Sequence, residues 1–291
     1  MTEYPDTYYA STVEQDNSRP ALLGDRSTDV CIVGAGFSGI STALHLAEQN
    51  VKVTVLEANR IGWGATGRNA GQIVNGLHRE LGFYRKKFDS KTYSTFRKLQ
   101  FEGGQVIRRI IDDYNVDCDL GKTTILAALD EKWEANLKER LSDWQQTNEA
   151  EAEIVTGARI RKFVNSNRYK AILVDYRGGS LNPLKLVLFP SLKNIAIISG
   201  WSGNFLLTVN HTPQVNRLND SIYYAQGYNA FGITTTHLVG RSIAQAITSN
   251  SAEFDAFSKL THMPIVGGDL LRVPYLLTGA YVYRLRDRLT F

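Results

Sequence analysis

The first regular pattern along the chain is a strand, a helix and a second strand in rapid succession. Residues 29–33 (DVCIV) form a short β-rich run that predicts a buried strand. Residues 37–50 predict a helix, because their apolar positions recur at helical spacing. Residues 51–56 (VKVTVL) alternate and are β-branched, which predicts a second strand. Together these elements predict a compact βαβ unit.

The rest of the chain alternates expected helices and strands. Helices are expected over three ranges, 79–113, 131–146 and 233–248. Strands are expected over four ranges, 125–129, 171–174, 205–209 and 222–224. Gly103 and Gly104 mark a possible break in the first of these helices, and residues 60–76 are glycine-rich and expected to be loop. Asn182 followed by Pro183 predicts the start of another helix.

Composition narrows the class of protein without naming a function. The 291 residues carry a net charge of only +4, spread along the chain, which does not favour nucleic-acid binding. The polar residues 1–28 read as a lead-in without the features of a secretion signal, and no apolar run reaches membrane-spanning length. Cys31 and Cys118 form neither a disulfide framework nor a metal-binding spacing, so we expect a reducing cytoplasm, no metal, and a buried Cys31.

A glycine motif sits at the corner between the first strand and the first helix. Gly34, Gly36 and Gly39 match GxGxxG, and a second strand follows on schedule. The first glycine permits a tight turn, the second lets a diphosphate approach the backbone, and the third lets the helix pack closely on the strand. Helix N-terminal amides then favour the negative charge of the diphosphate. The sequence therefore predicts a dinucleotide-binding corner.

Glu57 ends the second strand, and its carboxylate is expected to accept hydrogen bonds from ribose hydroxyls. A carboxylate there disfavours a 2′-phosphate, so NADP is not expected. The βαβ unit alone leaves FAD and NAD open. The glycine-rich residues 62–72 that follow suit a backbone wrapping a long, buried cofactor, although a surface loop would have the same composition. Arg68 within this stretch is expected either to neutralise phosphate or to cap a loop carbonyl.

At this point the chain resembles the D-amino-acid-oxidase-like flavoproteins and, among them, the gamma-glutamylputrescine oxidases. The resemblance covers most of the chain and is carried by the segments DVCIVGAGFSG, LEANRIGWGATGRNAGQI, GGSLNPLKLV, WSGNFLLTVNHTPQVNRL, YYAQGYNAFGITTTHLVGR and LRVPYLLTGAYVYRLRDRL. It implies an α/β fold, in which a Rossmann-like FAD-binding domain is combined with a truncated substrate domain. On this basis residues 29–187 form the first part of the FAD-binding domain, with a helical insertion, and residues 188–291 return to the flavin.

The resemblance also implies which residues hold FAD. Those expected around the cofactor are Gly34, Ala35, Gly36, Phe37, Ser38, Gly39, Glu57, Ala58, Arg60, Gly64, Ala65, Thr66, Gly67, Arg68, Asn69, Gly71, Gln72, Gly227, Gly232 and Ile233. The helix that starts near Ile233 is expected to stabilise negative charge on the reduced flavin.

The implied activity is oxidation of the C–N bond of a small amine, above all gamma-glutamylputrescine, with electrons passing to oxygen. Trp201, Tyr224 and Tyr228 are candidates to line the amine pocket, or else core aromatics. No catalytic acid or base is expected, because the cofactor carries the hard chemistry. The histidines are interpreted as structural, and His237 is the one nearest the expected flavin site. The alternatives are an oxidase of the sarcosine or glycine type and an inactive remnant.

Two departures from the family stand out. Residues 227–232 read GYNAFG where relatives more often read GYSGHG, and Phe231 cannot transfer a proton. Family members are also substantially longer, and a helix begun at Pro183 meets Pro190 after about two turns. We therefore expect an internal deletion near residue 188, with a naturally compact variant as the alternative.

Overall fold

The structure is a computed structural model, and it describes the chain in several stretches. These are residues 3–13, 21–147, 150–188, 208, 210–229 and 232–262, the backbone of 196–197, and isolated positions between 268 and 281. The expected strand at 205–209 lies almost entirely outside the described residues. Trp201 and Phe231 also lie outside them, and so do residues 189–195, which follow the predicted deletion near residue 188.

A short parallel sheet holds the predicted βαβ unit. Strands β1 (Val30–Val33) and β2 (Val53–Leu56) pair in parallel, and α2 (Phe37–Ala47) connects them. A two-residue strand, β7 (Ala196–Ile197), pairs in parallel with the other side of β2, so the strand order is β1-β2-β7. The sequence-based strand, helix and strand are confirmed within a few residues at each end.

A larger antiparallel sheet is built almost wholly from one stretch of chain. Its strands are β3 (Gln72–Ile73), β4 (Gly121–Ala128), β5 (Ala152–Thr156) and β6 (Ala171–Ser180). Strand β6 is central: β4 pairs along one side, while β5 and β3 share the other. Sequence analysis found β4 and part of β6 but missed β5 and β3.

Helices fill the space around the two sheets. They are α1 (Tyr8–Ser11), α3 (Leu81–Lys87), α4 (Ser90–Asp113), α5 (Glu131–Gln145), α6 (Pro183–Val187), α7 (Gly232–Thr248) and α8 (Ala252–Ser258). Helix α7 packs against both α2 and α4. The Asn182 side chain caps α6 by accepting hydrogen bonds from the amides of Leu184 and Lys185, as predicted. Helix α8 was missed.

A hairpin precedes α7. Strands β8 (Gln214–Asn219) and β9 (Ile222–Gln226) pair antiparallel through the turn at Asn219 and Asp220. The second strand was predicted. Strand β8 was not predicted, because polar residues such as Asn216 and Arg217 hide the strand pattern.

The predicted helix break at Gly103 and Gly104 is wrong. Helix α4 runs unbroken through both residues, and the real break lies between α3 and α4. The glycines serve packing instead: a Cβ on Gly103 would lie 2.8 Å from Thr234 Cβ, and one on Gly104 would lie 2.7 Å from Asn75 Oδ1. Close approach of α7 to α4 explains Gly103, and close approach of the chain that follows β3 explains Gly104.

Two further expectations need correction. Cys31 is exposed rather than buried, because it shares a face of β1 with the exposed Val33, whereas Val30 and Ile32 on the other face are half-buried. The lead-in 1–28 is also more than a polar tail. It contains α1, and the buried Tyr4 donates a hydrogen bond from its hydroxyl to the Ile61 carbonyl at 2.9 Å.

By contacts between residues, the chain divides into two compact units, Met1–Leu260 and Thr261–Phe291. In the second unit the described positions between 268 and 281 have helical backbone. This division differs from the predicted boundary at residue 187, which stays a prediction.

Candidate functional site: a glycine-lined nucleotide cleft

The three motif glycines form a tight corner between β1 and α2. Gly34 has a positive φ of +103°, and its amide donates to the Leu56 carbonyl of β2 at 2.7 Å. A Cβ on Gly39 would lie only 2.0 Å from the Gly34 carbonyl oxygen, so only glycine fits there. Gly36 is the N-cap of α2 and has an ordinary extended backbone. Its importance is space, since a Cβ there would project towards Thr66 Oγ1 at 3.2 Å.

Glu57 reaches this corner from the end of β2. One carboxylate oxygen accepts a hydrogen bond from the Ala35 amide at 2.8 Å, and the other accepts from the Asn59 amide at 3.0 Å. A carboxylate can accept about four hydrogen bonds, so both oxygens keep capacity for ribose hydroxyls. The carboxylate therefore shapes the glycine turn and stands beside it.

The glycine-rich stretch after β2 folds back onto the same corner. The Gly62 amide donates to the Ala35 carbonyl at 2.9 Å, and Thr66 Oγ1 accepts from the Phe37 amide at 3.0 Å. Residues Ala65–Arg68 form a 3₁₀ turn, and Asn69 closes it by donating to the Thr66 carbonyl at 2.6 Å. This stretch is therefore ordered around the turn rather than a free surface loop.

Several predicted cofactor residues lie around this stretch but do not line the cleft. Arg68 is exposed, donates to the Gly64 carbonyl at 3.1 Å and lies over the Trp63 ring, so it takes the carbonyl-capping role of the two that were predicted. Arg60 lies over the Tyr4 ring. The others with structural or peripheral positions are Ala58, Gly64, Gly67, Gly71 and Gln72. Gly71 packs against the Leu181 carbonyl, and Gln72 belongs to β3.

A second loop returns to the corner from the far end of the sequence. Gly227, at φ +69°, has no room for a Cβ, which would lie 2.5 Å from Thr208 Cγ2. Ser38 donates a hydrogen bond to the Tyr228 hydroxyl at 2.8 Å, across 190 residues of sequence. Burial raises the pKa of the Tyr228 phenol above its usual value, so the phenol stays protonated at neutral pH.

The loop is held in shape by Asn229. This buried residue has a positive φ of 51°. Its amide nitrogen donates to Thr208 Oγ1 at 2.8 Å, and its amide oxygen accepts from the Thr208 amide at 2.7 Å. Asparagine suits this position because it tolerates the left-handed region and satisfies buried backbone groups.

These stretches enclose one cleft of about 340 Å³. The described residues that line it are Val33, Gly34, Gly36, Phe37, Ser38, Gly39, Ala65, Thr66, Asn69, Gln226, Gly227, Tyr228, Gly232 and Thr236. None of these described lining residues carries a charged side chain. Both α2 and α7 begin at the cleft, so two helix N-termini contribute partial positive charge to it. The cleft therefore suits an anion that is held by backbone amides and helix dipoles, without a positively charged side chain among the described lining residues.

Ile233 and His237 lie behind the cleft, in the interface between α7 and α2. Ile233 is buried, and its carbonyl lies 2.7 Å from His237 Nδ1. The His237 ring contacts Phe37, with ring centroids 5.0 Å apart. Burial lowers the pKa of His237 to about 4, so the ring is neutral near pH 7. These contacts agree with a structural histidine.

The candidate substrate residues do not share one pocket among the described residues. Tyr228 lies in the cleft beside the glycine turn, whereas Tyr224 lines a separate groove next to β1. Sequence analysis missed Val33, Gln226 and Thr236 as cleft residues. Thr236 had a findable signal, since it lies one turn after Gly232 on the same helix face.

The described residues include neither a metal-binding cluster nor a helix suited to cross a membrane. Among them, no group of three or more His, Cys, Asp or Glu side chains is arranged to hold a metal ion. The helices that are described also include none with the length and apolarity that a bilayer crossing requires.

Known proteins similar to this chain point the same way as the geometry. Gamma-glutamylputrescine oxidoreductase of Escherichia coli is 29% identical over an alignment that covers 99% of this chain and all of that protein. A glycine oxidase structure from Geobacillus kaustophilus superposes with a TM-score of 0.59 at 13% identity, covering 81% of this chain and 99% of that one. An L-amino acid deaminase structure from Proteus myxofaciens gives a TM-score of 0.51 at 20% identity, covering 68% of this chain but only 42% of that one.

A sequence profile of the DAO family, described as FAD dependent oxidoreductase, matches residues 29–189. This match spans more than half of the chain and contains both the glycine corner and Glu57. FAD is the cofactor of this family, and the similar proteins include amine and amino-acid oxidoreductases. The chain belongs to the DAO family of FAD-dependent oxidoreductases.

Proposed function

We propose that this chain binds FAD with the diphosphate of the cofactor in the glycine-lined cleft. The observation that carries the proposal is the meeting of three distant stretches at one cleft: the GxGxxG corner, residues 65–69, and residues 226–228 with Gly232. The absence of a Cβ at Gly36 keeps the floor of the cleft open, and two helix N-termini favour an anion above it. The residues present therefore fit the diphosphate end of FAD.

The proposal divides the predicted cofactor residues into two groups. Gly34, Gly36, Ser38 and Thr66 would contact the diphosphate region directly, because they line the cleft. Residues behind them hold the turn in shape through backbone contacts, as Gly62 does with the Ala35 carbonyl. Glu57 would accept hydrogen bonds from the ribose hydroxyls while it keeps the Ala35 amide.

Tyr228 is better assigned to the cofactor than to the amine. Its hydroxyl accepts the Ser38 hydrogen bond, so its own proton is available to donate towards the cleft. This assignment revises its candidate role in an amine pocket. For Tyr224 and Trp201 a substrate role stays a prediction.

The proposed reaction is oxidation of the C–N bond of a small amine, with gamma-glutamylputrescine as the first substrate to test. The 29% identity to a gamma-glutamylputrescine oxidoreductase over both whole lengths supports this choice. Bound FAD would supply the hydride acceptor, and the described residues would bind and orient it. Molecular oxygen is the proposed final acceptor, by resemblance to oxidases. Both cysteines are free, which fits the proposed cytoplasmic location.

A second candidate is a chain that binds FAD but oxidises no amine on its own. It is favoured by one observation, the length of the alignment with the Escherichia coli relative. That alignment has 424 positions, whereas this chain has 291 residues, so more than a hundred positions of the relative have no counterpart here. Part of a substrate site could be among them.

A visible spectrum separates the two candidates. The purified chain should be yellow, or become yellow and retain flavin after addition of FAD and desalting. Anaerobic addition of gamma-glutamylputrescine should then bleach the flavin band, whereas sarcosine and glycine serve as comparison substrates. If only sarcosine or glycine bleaches the flavin band, that amine replaces gamma-glutamylputrescine as the proposed substrate. If the chain retains flavin but no amine bleaches it, the second candidate is favoured. A chain that retains no flavin would refute the FAD site itself.

A further inference from the structure

Strand β1 has an open edge. Its Val30 amide donates to the Lys52 carbonyl, and the Gly34 amide donates to the Leu56 carbonyl of β2. Because alternate residues of a strand point their N–H and C=O groups to the same side, Cys31 and Val33 point theirs away from β2. Among the described strands, none pairs with β1 on that side.

A groove of about 660 Å³ runs beside this open edge. Residues 29–33 form one wall, and β9, with Ile222 and Tyr224, forms the other. Ile243 and Ile247 of α7 also line it, and polar residues that include Asp29, Thr42 and Asp220 lie among these apolar side chains. Val33 is 63% exposed and Ile222 is 49% exposed, so each wall carries an aliphatic side chain that is open to solvent.

An unpaired, apolar strand edge readily accepts a further strand. The groove is lined by β1 on one side and by β9 on the other, so a strand that pairs with β1 would lie between these two elements. A second copy of this chain would instead present a sheet edge flanked by its own β8–β9 hairpin. The geometry therefore favours a lone strand over edge-to-edge pairing of two copies.

The relatives indicate where such a strand comes from. The alignment with the Escherichia coli relative covers 99% of this chain and all of that protein, so the extra positions of the relative are internal rather than terminal. The family match ends at residue 189, near the predicted deletion. Among the described residues, the parallel sheet consists of β1, β2 and β7.

We propose that the groove between β1 and β9 binds an extended β-strand of a second polypeptide, one that corresponds to the internal segment that this chain lacks. Main-chain hydrogen bonds to Cys31 and Val33 would fix the strand, and the apolar walls would bury its alternate side chains. The fold would then be completed by two chains rather than one. This inference does not depend on FAD binding.

Cys31 provides a built-in reporter for this proposal. It is exposed and lines the groove, whereas Cys118 is buried and burial raises the pKa of its thiol to about 11. A maleimide at neutral pH should therefore modify Cys31 selectively, since the thiolate is the reactive form. The labelling rate then measures access to the groove.

The probe is the internal segment of the Escherichia coli relative, fused to maltose-binding protein for solubility. At saturation it should slow labelling of Cys31 roughly tenfold or more and form a complex of one chain with one fusion, while maltose-binding protein alone has no effect. An unchanged rate without a complex would overturn the proposal. Labelling that slows as the chain alone is concentrated, together with a doubled mass, would also overturn it, because the occupant is then a second copy.

A matched pair of variants tests the main-chain contact. Cys31→Pro removes the outward-facing amide and leaves the hydrogen bonds between β1 and β2, whereas Cys31→Ala keeps the amide. We expect about tenfold weaker binding of the fusion by Cys31→Pro and little change for Cys31→Ala. Circular dichroism checks folding of both. If Cys31→Pro does not fold, Ile222→Lys on the opposite wall replaces it, and undiminished binding by the folded variant contradicts the proposal.

Discussion

The antiparallel sheet of β3–β6 and the parallel sheet of β1, β2 and β7 differ in how far their side chains are buried. In the antiparallel sheet, residues 171–174 of β6 are fully buried, with Ala171 and Leu173 packing on one face and Ile172 and Val174 on the other. In the parallel sheet, β1 alternates between half-buried and exposed positions, and Val33 is 63% exposed. One sheet is covered on both faces by its own neighbours, and the other is not.

This difference separates what stabilises the chain from what binds its ligand. The antiparallel sheet draws on apolar side chains from β4, β5 and α5, which lie close in sequence. The nucleotide corner draws on glycines that allow close approach, such as Gly39 on the Gly34 carbonyl and Gly227 on the Thr208 side chain. Stability should therefore be most sensitive in the first region, and ligand binding in the second.

The largest expected effect is loss of stability from Leu173→Ala. Leu173 is fully buried against Trp144 and Leu137, so truncation removes apolar contact and leaves a cavity, at a cost of about 2–5 kcal/mol. Urea unfolding followed by circular dichroism measures this. The counterpart Val33→Ala should change the free energy of unfolding by less than about 0.5 kcal/mol, because the side chain is exposed. Equal effects would erase the contrast between the sheets.

The next effect concerns acid stability at the α2–α7 interface. Burial lowers the pKa of His237 to about 4. Between pH 6.5 and pH 4, His237 is therefore protonated in the unfolded chain but neutral in the folded chain. Stability should fall as pH falls through this window, by about 3 kcal/mol at most, since one pKa unit corresponds to about 1.4 kcal/mol.

His237→Gln should flatten that part of the curve. The half-buried His78, whose pKa is also lowered to about 4, remains in both proteins and contributes equally to each. Urea midpoints measured at intervals between pH 4 and pH 7 give the comparison. Identical pH dependence of the two proteins would show that His237 is not buried and neutral.

A smaller effect is expected from Gly240→Ala. A Cβ there would lie 2.6 Å from Ser41 Cβ and 2.9 Å from the Thr42 amide nitrogen, so α2 and α7 must move apart. We expect about 1–3 kcal/mol of destabilisation from overpacking. Gly82→Ala in α3, where a Cβ meets nothing within 4 Å, is the matched control and should not destabilise the chain. A neutral Gly240→Ala would mean that the helices are not in close contact.

The smallest effect is expected from Glu57→Gln. Glutamine keeps one acceptor oxygen for the Ala35 amide, but its NH2 group cannot accept from the Asn59 amide, and it loses the charge that strengthens bonds to the ribose hydroxyls. FAD affinity should fall about fivefold, corresponding to about 1 kcal/mol. Isothermal titration with FAD measures the change, and unchanged affinity would remove the proposed ribose contact.

The sequence predicted the corner of the fold better than its surroundings. Gly34, Gly39 and Glu57 could be placed because each satisfies a short-range requirement of the strand–turn–helix corner. The hydrogen bond between Ser38 and Tyr228 could not, because it joins residues 190 positions apart and nothing local signals it.

Burial was the other limit of sequence analysis. The run DVCIV reads as a buried strand, yet Cys31 and Val33 lie on a face of β1 that is exposed to solvent. Likewise Gly103 and Gly104 read as a helix break, yet the helix continues and they leave space for Thr234 and Asn75. In each case the outcome depends on packing between residues that are distant in sequence.

The most direct test of FAD binding at the floor of the cleft is a measurement of FAD affinity. The dissociation constant for FAD is determined by flavin fluorescence for the unaltered chain, Gly36→Ala and Gly82→Ala. A methyl group on Gly36 should obstruct the diphosphate while meeting only Thr66 Oγ1, so affinity should fall about tenfold or more. Gly82→Ala should bind as the unaltered chain does. Equal affinity of all three proteins, or no flavin binding by the unaltered chain, would contradict the account.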